Sequence, residues 1–237
     1  MRVLAFTLLI SSLSPCLLSA QELFPILEAH YKAAAQEKMV KVQTITTRGK
    51  NVYSKTGFES GFTIYQARPL KLRVESDYQG SKVIQTYNGE TGWQYAPAMG
   101  MPEPVEIKGQ ELETLLSQIQ FENPLWNYSE RGDTLAYADQ DSEETDHLAL
   151  TTASGDIRHY FIDRESHLIS RITTTRLLGG SETEIEILFN DYKSVKGIPF
   201  AHQVVTRMNG EVVATIYLEK VEVNKKIDPA LFEKPDW

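Results

Sequence analysis

The sequence predicts a mainly β (α+β) protein: an unclosed antiparallel half-barrel of about 11–12 strands, covered by an N-terminal helix and a short helical lid. Three observations predict it. From Val40 onward the apolar residues recur with a period of two in most segments, as in strands with one greasy face. Turn signals such as Gly179-Gly180, Lys196-Gly197 and Asn209-Gly210 punctuate those segments at hairpin spacing. Only two stretches carry a helical period, too few to sandwich so wide a sheet. A flat open sheet of that width is unfavourable, so it must curl, and the helices then cover its concave side incompletely.

The first element spans Glu22 to Lys38. Leu23, Leu27, Tyr31 and Ala34 fall on one helical face, and Ala33-Ala34-Ala35 favours helix. Pro25 is placed in the first turn, where its missing N–H costs little. The period then changes. Val40, Val42 and Thr44 begin one strand, Phe58, Phe62 and Ile64 mark a second, and Leu70, Leu72, Val74 and Tyr78 share one face of a third. Asn88-Gly89-Glu90-Thr91-Gly92 makes a tight turn before Trp93-Gln94-Tyr95. Pro97, Pro102 and Pro104 then predict a loop carrying Met99 and Met101. Leu112, Leu115, Leu116 and Ile119 follow the i, i+3, i+4, i+7 spacing of a short amphipathic helix ending before Asn123-Pro124. Strands resume from Thr134 and continue to Val223.

Residues 1–20 read as a secretory signal, with Arg2 at its start, an apolar core from Val3 to Ile10, and small residues at Ser19-Ala20. The core is too short to cross a bilayer, which takes about 20 residues. Cys16 is the only cysteine in the chain. Pro15 before it does not suit a lipid-attachment site, and cleavage after Ala20 leaves no thiol and no disulfide. Residues 21–237 are expected to form a single domain. The 237 residues carry a net charge of −8. Loss of Arg2 with the leader makes it −9, which argues against nucleic acid and anionic membrane surfaces as partners.

An oily hollow beneath the curved sheet is the expected functional feature. Its predicted lining comprises Phe58, Phe62 and Ile64, then Leu70, Leu72 and Val74, then Tyr87, Trp93 and Tyr95. Met99 and Met101 are expected at its mouth, and Leu112, Leu115, Leu116 and Ile119 on the lid. Arg68 stands alone at the rim beside Pro69. Read from position alone it is a solvated strand-start residue, with a guanidinium of five donors that stays charged.

Ala67-Arg68-Pro69-Leu70-Lys71-Leu72-Arg73, Tyr87-Asn88-Gly89-Glu90-Thr91-Gly92-Trp93-Gln94-Tyr95 and Ile227-Asp228-Pro229-Ala230-Leu231-Phe232 resemble segments of the LolA/LolB-like superfamily. Asn190-Asp191-Tyr192-Lys193 through Gly197-Ile198-Pro199-Phe200 is similar to its lipoprotein-sorting-like branch. The resemblance implies a periplasmic, non-enzymatic carrier that binds lipoprotein acyl chains, or another lipid, in a helix-plugged half-barrel. It implies that Arg68 holds carbonyls of the lid and keeps the empty cavity shut. It also implies as partners an inner-membrane lipoprotein-releasing transporter and an outer-membrane acceptor, with the protein itself a monomer. The Met99–Pro104 loop and the longer C-terminal sheet depart from the family pattern and put those partners in question.

No catalytic constellation is legible, and no cofactor or metal is expected. His30, His147, His159, His167 and His202 lack metal-ligand spacing, and there is no His-Glu-x-x-His, Gly-x-Ser-x-Gly or glycine-rich phosphate loop. His30 is expected at the surface or a boundary. The acidic run from Asp139 to Asp146 lacks the glycine and spacing of a calcium loop and reads as a solvated hairpin tip. Two rival readings stay open on the same fold. A lipid or lipoprotein sensor would need a signalling partner, and a hydrolase of envelope lipids would need a nucleophile–base pair in the cavity.

Overall fold

A computed structural model describes residues 15–138 and 142–236. Residues 1–14 of the predicted leader lie outside the described residues, as do Asp139, Gln140 and Asp141 of the acidic run. Helices α1 (Pro15–Ala33) and α2 (Gln36–Met39) precede six strands: β1 (Thr44–Tyr53), β2 (Phe58–Ala67), β3 (Lys71–Tyr78), β4 (Ser81–Tyr87), β5 (Gly92–Ala96) and β6 (Met101–Ile107). Helix α3 (Gly109–Leu116) follows. Seven more strands complete the sheet: β7 (Thr134–Tyr137), β8 (Thr145–Thr151), β9 (Ile157–Asp163), β10 (Ile169–Leu178), β11 (Ser181–Val195), β12 (Ile198–Met208) and β13 (Glu211–Val223).

All thirteen strands form one antiparallel sheet in the order β6-β5-β4-β3-β2-β1-β13-β12-β11-β10-β9-β8-β7. It is therefore two meanders joined where the first strand pairs with the last, Ile45 opposite Val223 and Tyr53 opposite Ala214. The predicted turns behave as their chemistry demands. Lys196-Gly197 and Asn209-Gly210 have positive φ at both residues, and so do Gln79-Gly80 and Gly179-Gly180. Such turns match the right-handed twist of the strands they join.

The thirteenth strand is β6, in the stretch where the three prolines predict a loop. Pro102 and Pro104 forbid a central strand, but β6 is an edge and needs hydrogen bonds on one side only. The first helical segment also differs. Its helix begins at Pro15, before the expected Glu22, so Pro25 lies inside it rather than in its first turn. The helix breaks at Ala35, which takes the left-handed conformation (φ 51°, ψ 42°), before the single turn of α2. Val40 is thus a helix end rather than the start of a strand.

The edge strands β6 and β7 are consecutive in the chain. Residues 108–133 must therefore run from one edge of the sheet to the other, and they do so across its concave face. Leu115 and Ile119 pack with Leu72, Tyr87 and Ile107. Phe121 packs with Val42, Ile45, Ile198, Val221 and Val223 near the sheet's centre. Leu125 packs with Leu23 and Leu27 of α1 against Leu148, Tyr160 and Ile162. This strap and α1 together cover one end of the concave face.

Gly49 marks the register shift in the central β1–β13 pair. A Cβ there would lie 2.1 Å from the Tyr217 carbonyl oxygen and 2.9 Å from the Phe62 ring. The backbone oxygen cannot yield without breaking the ladder. We expect Gly49→Ala to lose about 1–3 kcal/mol of stability, the usual range for overpacking, measured as a lowered urea midpoint at unchanged slope. A midpoint equal to that of the parent protein would refute this account of the bulge.

Candidate functional site

Strand alternation assigns each predicted lining residue to a face. Ile64, Leu72, Val74 and Tyr87 pack against Leu112, Leu115 and Leu116 of α3 and Ile119 just after it. They are packed, not hollow: Leu72 is fully buried and Leu115 nearly so. Gly92 makes this packing possible, since Leu112 Cδ1 would sit 3.1 Å from a Cβ at that position. The glycine that ends the Asn88 turn is thus the seat of the α3 side chain.

Trp93 and Tyr95 correct the sequence reading, because they face the other way. Trp93 pairs with Thr86, which pairs with Arg73, and Arg73 alternates with the inward Leu72 and Val74. Their face is convex and receives the C-terminal tail. Phe232 of that tail is buried, Arg73 donates to the Leu231 carbonyl oxygen at 3.0 Å, and Lys234 Nζ lies 4.9 Å from the Trp93 ring centre. The tail's Asp-x-x-x-Phe pattern has a plain cause. Asp228 Oδ1 accepts from the Ala230 N–H and starts the short 3-10 turn that delivers Phe232.

Leu70 lies on the exposed turn before β3, and Met99 on an exposed 3-10 turn, so neither lines a closed hollow. Met101 is half-buried at the start of β6, where its sulfur accepts from Gln94 Nε2 at 3.6 Å. Phe58 stands at the uncovered end of the sheet. It stacks on Tyr53 with ring centres 6.0 Å apart, and with Tyr78, Val83 and Met99 it lines an open apolar pocket of about 380 Å³. Between this mouth and the strap the inward side chains are only half-buried. Phe62, Ile216, Leu218, Val204, Ile187 and Phe189 make that stripe, which the sequence reading missed beyond Phe62. Their alternation was legible, but nothing local marks which end of a long strand stays uncovered.

Arg68 sits at the midpoint of the strap. Its Nε donates to the Val42 carbonyl oxygen at 2.7 Å and its Nη2 to the Met39 carbonyl oxygen at 3.4 Å, at the end of α2. Nη2 also pairs with the Glu122 carboxylate of the strap, and the guanidinium lies 4.7 Å from the Phe121 ring centre. The arginine therefore joins the sheet rim, the α2 terminus and the strap at once. Its carbonyl partners belong to α2 and the segment after it, not to α3 as the resemblance implies; the strap is reached through a carboxylate.

The strap's two halves are held differently. Beyond Glu122 it is tied by polar contacts: Tyr31 Oη donates to the Leu125 carbonyl oxygen at 2.6 Å, and the Ala153 N–H donates to Asp133 Oδ1 at 3.1 Å. Burial raises the Tyr31 phenol to about 12. Before Glu122, Gln66 Nε2 donates to the Gln118 carbonyl oxygen at 2.8 Å and Lys108 pairs with the neighbouring Glu106 of β6, while α3 itself rests on apolar packing.

His30 was expected near the surface and is instead almost fully buried. It faces inward from α1 because both its nitrogens find partners there. Nδ1 lies 2.7 Å from the His167 carbonyl oxygen, which can only accept, so Nδ1 carries the proton. Nε2 then accepts from Asn123 Nδ2 at 2.6 Å, while Asn123 Oδ1 takes the Leu125 N–H. His147 and His159, apart in sequence, meet on the convex face at 2.9 Å. Among the described residues no group of three or more His, Cys, Asp or Glu could hold a metal ion.

A half-barrel whose edges are bridged by a helical strap defines a LolA-like fold. No protein-family model matches the sequence, and no curated protein matches it. Solved structures do. A LolA superfamily protein from Nitrosomonas europaea is 11% identical, with a TM-score of 0.59 over 91% of this chain and 98% of that one. A putative outer membrane lipoprotein-sorting protein domain from Vibrio parahaemolyticus is 11% identical, with a TM-score of 0.59 over 88% and 95%. A DUF1329 family protein from Desulfovibrio piger is 12% identical, with a TM-score of 0.60 over 88% and 97%. At such identities the likeness is one of fold.

Burial lowers the His30 pKa below its ordinary 6.5, against the opposing pull of the His167 carbonyl. The unfolded chain then binds the proton more readily than the native one. The stability linked to His30 is complete above pH 6.5 and is lost as pH falls from there toward the native value. We expect unfolding free energy to decline over that window with an uptake of up to one proton, and His30→Asn to flatten the decline. A parent protein and variant with superimposable pH profiles would remove His30 from the strap's support.

Proposed function

We propose that the protein is a periplasmic, non-enzymatic carrier that shields acyl chains of lipoproteins, or of another lipid, on the concave face of its half-barrel. One observation carries the reading: the apolar stripe from Phe62 to Phe189 is only half-covered, and a strap crosses its end. The aromatic mouth of Tyr53, Phe58 and Tyr78 continues that stripe outward. The likeness in fold to a lipoprotein-sorting domain supports it. Residues 1–20 would act as the export leader, cleaved near Ala20. An inner-membrane lipoprotein-releasing transporter and an outer-membrane acceptor would be the donor and recipient.

The space beneath α3 is filled by Leu72, Tyr87, Leu115 and Ile119, so on this reading the strap is closed over that part of the sheet. Cargo would add to the half-covered stripe and displace the α3 half of the strap, the half with fewer polar ties. Each buried CH₂ contributes about 0.8 kcal/mol, and three long chains fully buried would approach ~30 kcal/mol, beyond the practical ceiling of roughly 20. A carrier that must release its load gains from covering only part of it. Arg68 opposes opening because displacement of the strap would cost its contact with Glu122, while its bonds to the Met39 and Val42 carbonyls keep it in place.

The direct test is to recover the mature protein from a bacterial envelope and identify bound molecules by mass spectrometry. Intact lipoproteins or intact lipid support the carrier; hydrolysed lipid would point to an enzyme instead, and the absence of any lipid would overturn the reading. Arg68→Leu probes the latch. Charge-assisted hydrogen bonds contribute about 1.5–3 kcal/mol each, less where solvent reaches them. We therefore expect an apolar fluorescent probe to bind the variant about three- to tenfold more tightly. Affinity and release rates unchanged from the parent would show that Arg68 does not govern opening.

A further inference from the structure

The concave face of β4 and β5 carries a pair of amides between apolar neighbours. Gln85 stands opposite Val74 on one side and Gln94 on the other, and Gln94 stands opposite Val105. Directly opposed residues share a face, and Val74 packs in the cluster under α3, so all four point to the concave side. Gln85 Nε2 donates to Gln94 Oε1 at 2.9 Å, whereas Gln94 Nε2 reaches the Met101 sulfur, a weak acceptor, at 3.6 Å. Both glutamines are only half-buried, and Val105 beside them is exposed, so the pair is open to whatever occupies that face. On β4 the next inward residue one way is Val83, in the wall of the mouth pocket, and the other way is Tyr87, under α3. Each such step of two residues is about 7 Å. The amides thus lie between the open mouth and the half of the strap that cargo would displace.

We infer that Gln85 and Gln94 make the concave face selective for acyl chains joined through an amide rather than an ester. This rests on the carrier reading and names the linkage of what is carried. A plain alkyl chain laid over the pair would take its amides out of water and offer them no partner, which is costly for each unmatched group. Together the two side chains present a carbonyl, that of Gln85, with no protein donor among the described residues, and an N–H, that of Gln94, bonded to a thioether. A secondary amide carries both an N–H donor and a carbonyl acceptor, so it can satisfy both. An ester carries acceptors alone and leaves the Gln85 carbonyl unmatched. The discrimination is of the kind in which a site built to hydrogen-bond a group rejects the analogue that lacks it.

The test uses three pyrene-labelled probes with the same tail: a fatty acyl N-methylamide, the corresponding methyl ester, and an alkylpyrene with no carbonyl. Each is titrated against the parent protein and against Gln85→Leu/Gln94→Leu, which replaces both partners at once and so strands neither. Gln85→Met/Gln94→Met serves the same purpose should the leucine variant fail to fold. We expect the amide-to-ester affinity ratio to fall about five- to tenfold on the variant, the size of one hydrogen bond. The alkylpyrene should bind the variant at least as tightly as the parent, because no amide is then covered unmatched. A merely structural role for the pair would move all three probes together. A ratio unchanged within about twofold, or an alkylpyrene weakened as much as the amide, would overturn the amide site and leave the carrier standing. Binding of the alkylpyrene alone by the parent protein would do the same. Binding of none of the probes by the parent would remove the carrier reading and this one with it.

Discussion

The pairing of β1 with β13 is the constraint on which the rest of the molecule depends. It places the chain's first and last strands at the centre of the sheet and leaves β6 and β7, which are consecutive, at opposite edges. The residues between them then have to traverse the concave face. Leu115, Phe121 and Leu125 touch in turn the three apolar clusters that lie across it. The cover over the concave face is thus a consequence of strand order. Edge protection follows from the same arrangement: one edge carries Pro102 and Pro104, and the other is a strand of four residues packed beside α1.

The two faces of the sheet are finished by different means. The convex face of β3–β5 receives the C-terminal tail, anchored by Phe232, Arg73 and Lys234. That segment cannot also cover the concave side, which is left to α1 and the strap. Neither reaches the end where Tyr53 and Phe58 stand exposed. The apolar stripe is thus open at one end and strapped at the other.

Polar groups concentrate where the strap is held. Arg68, Glu122, Asn123, His30 and Gln36 all lie at the junction of α1, α2 and the strap. Buried polar networks of this kind are costly when half-satisfied and specific when complete. Here His30 and Asn123 are complete, Arg68 and Glu122 are partly solvated, and the Gln36 amide nitrogen has no protein partner. The junction is therefore the place where a small change in contacts can alter the balance between a held and a released strap.

The chain by itself determined the period of its strands, the chemistry of its hairpin turns and the presence of two helical segments. These follow from interactions within a few residues: alternation of side chains, positive φ at Asn209-Gly210, and the Asx turn at Asn88. It also marked Arg68 as the rim residue with unusual bonding capacity. It could not say that Trp93 and Tyr95 face outward, because alternation assigns residues to two faces without telling which face is concave. Nor could it show that His30 is buried, that β6 is a strand despite its prolines, or that the space under α3 is filled. Those outcomes were decided by which strand lies at an edge and what packs across it, relations between residues far apart in the chain that no local pattern records.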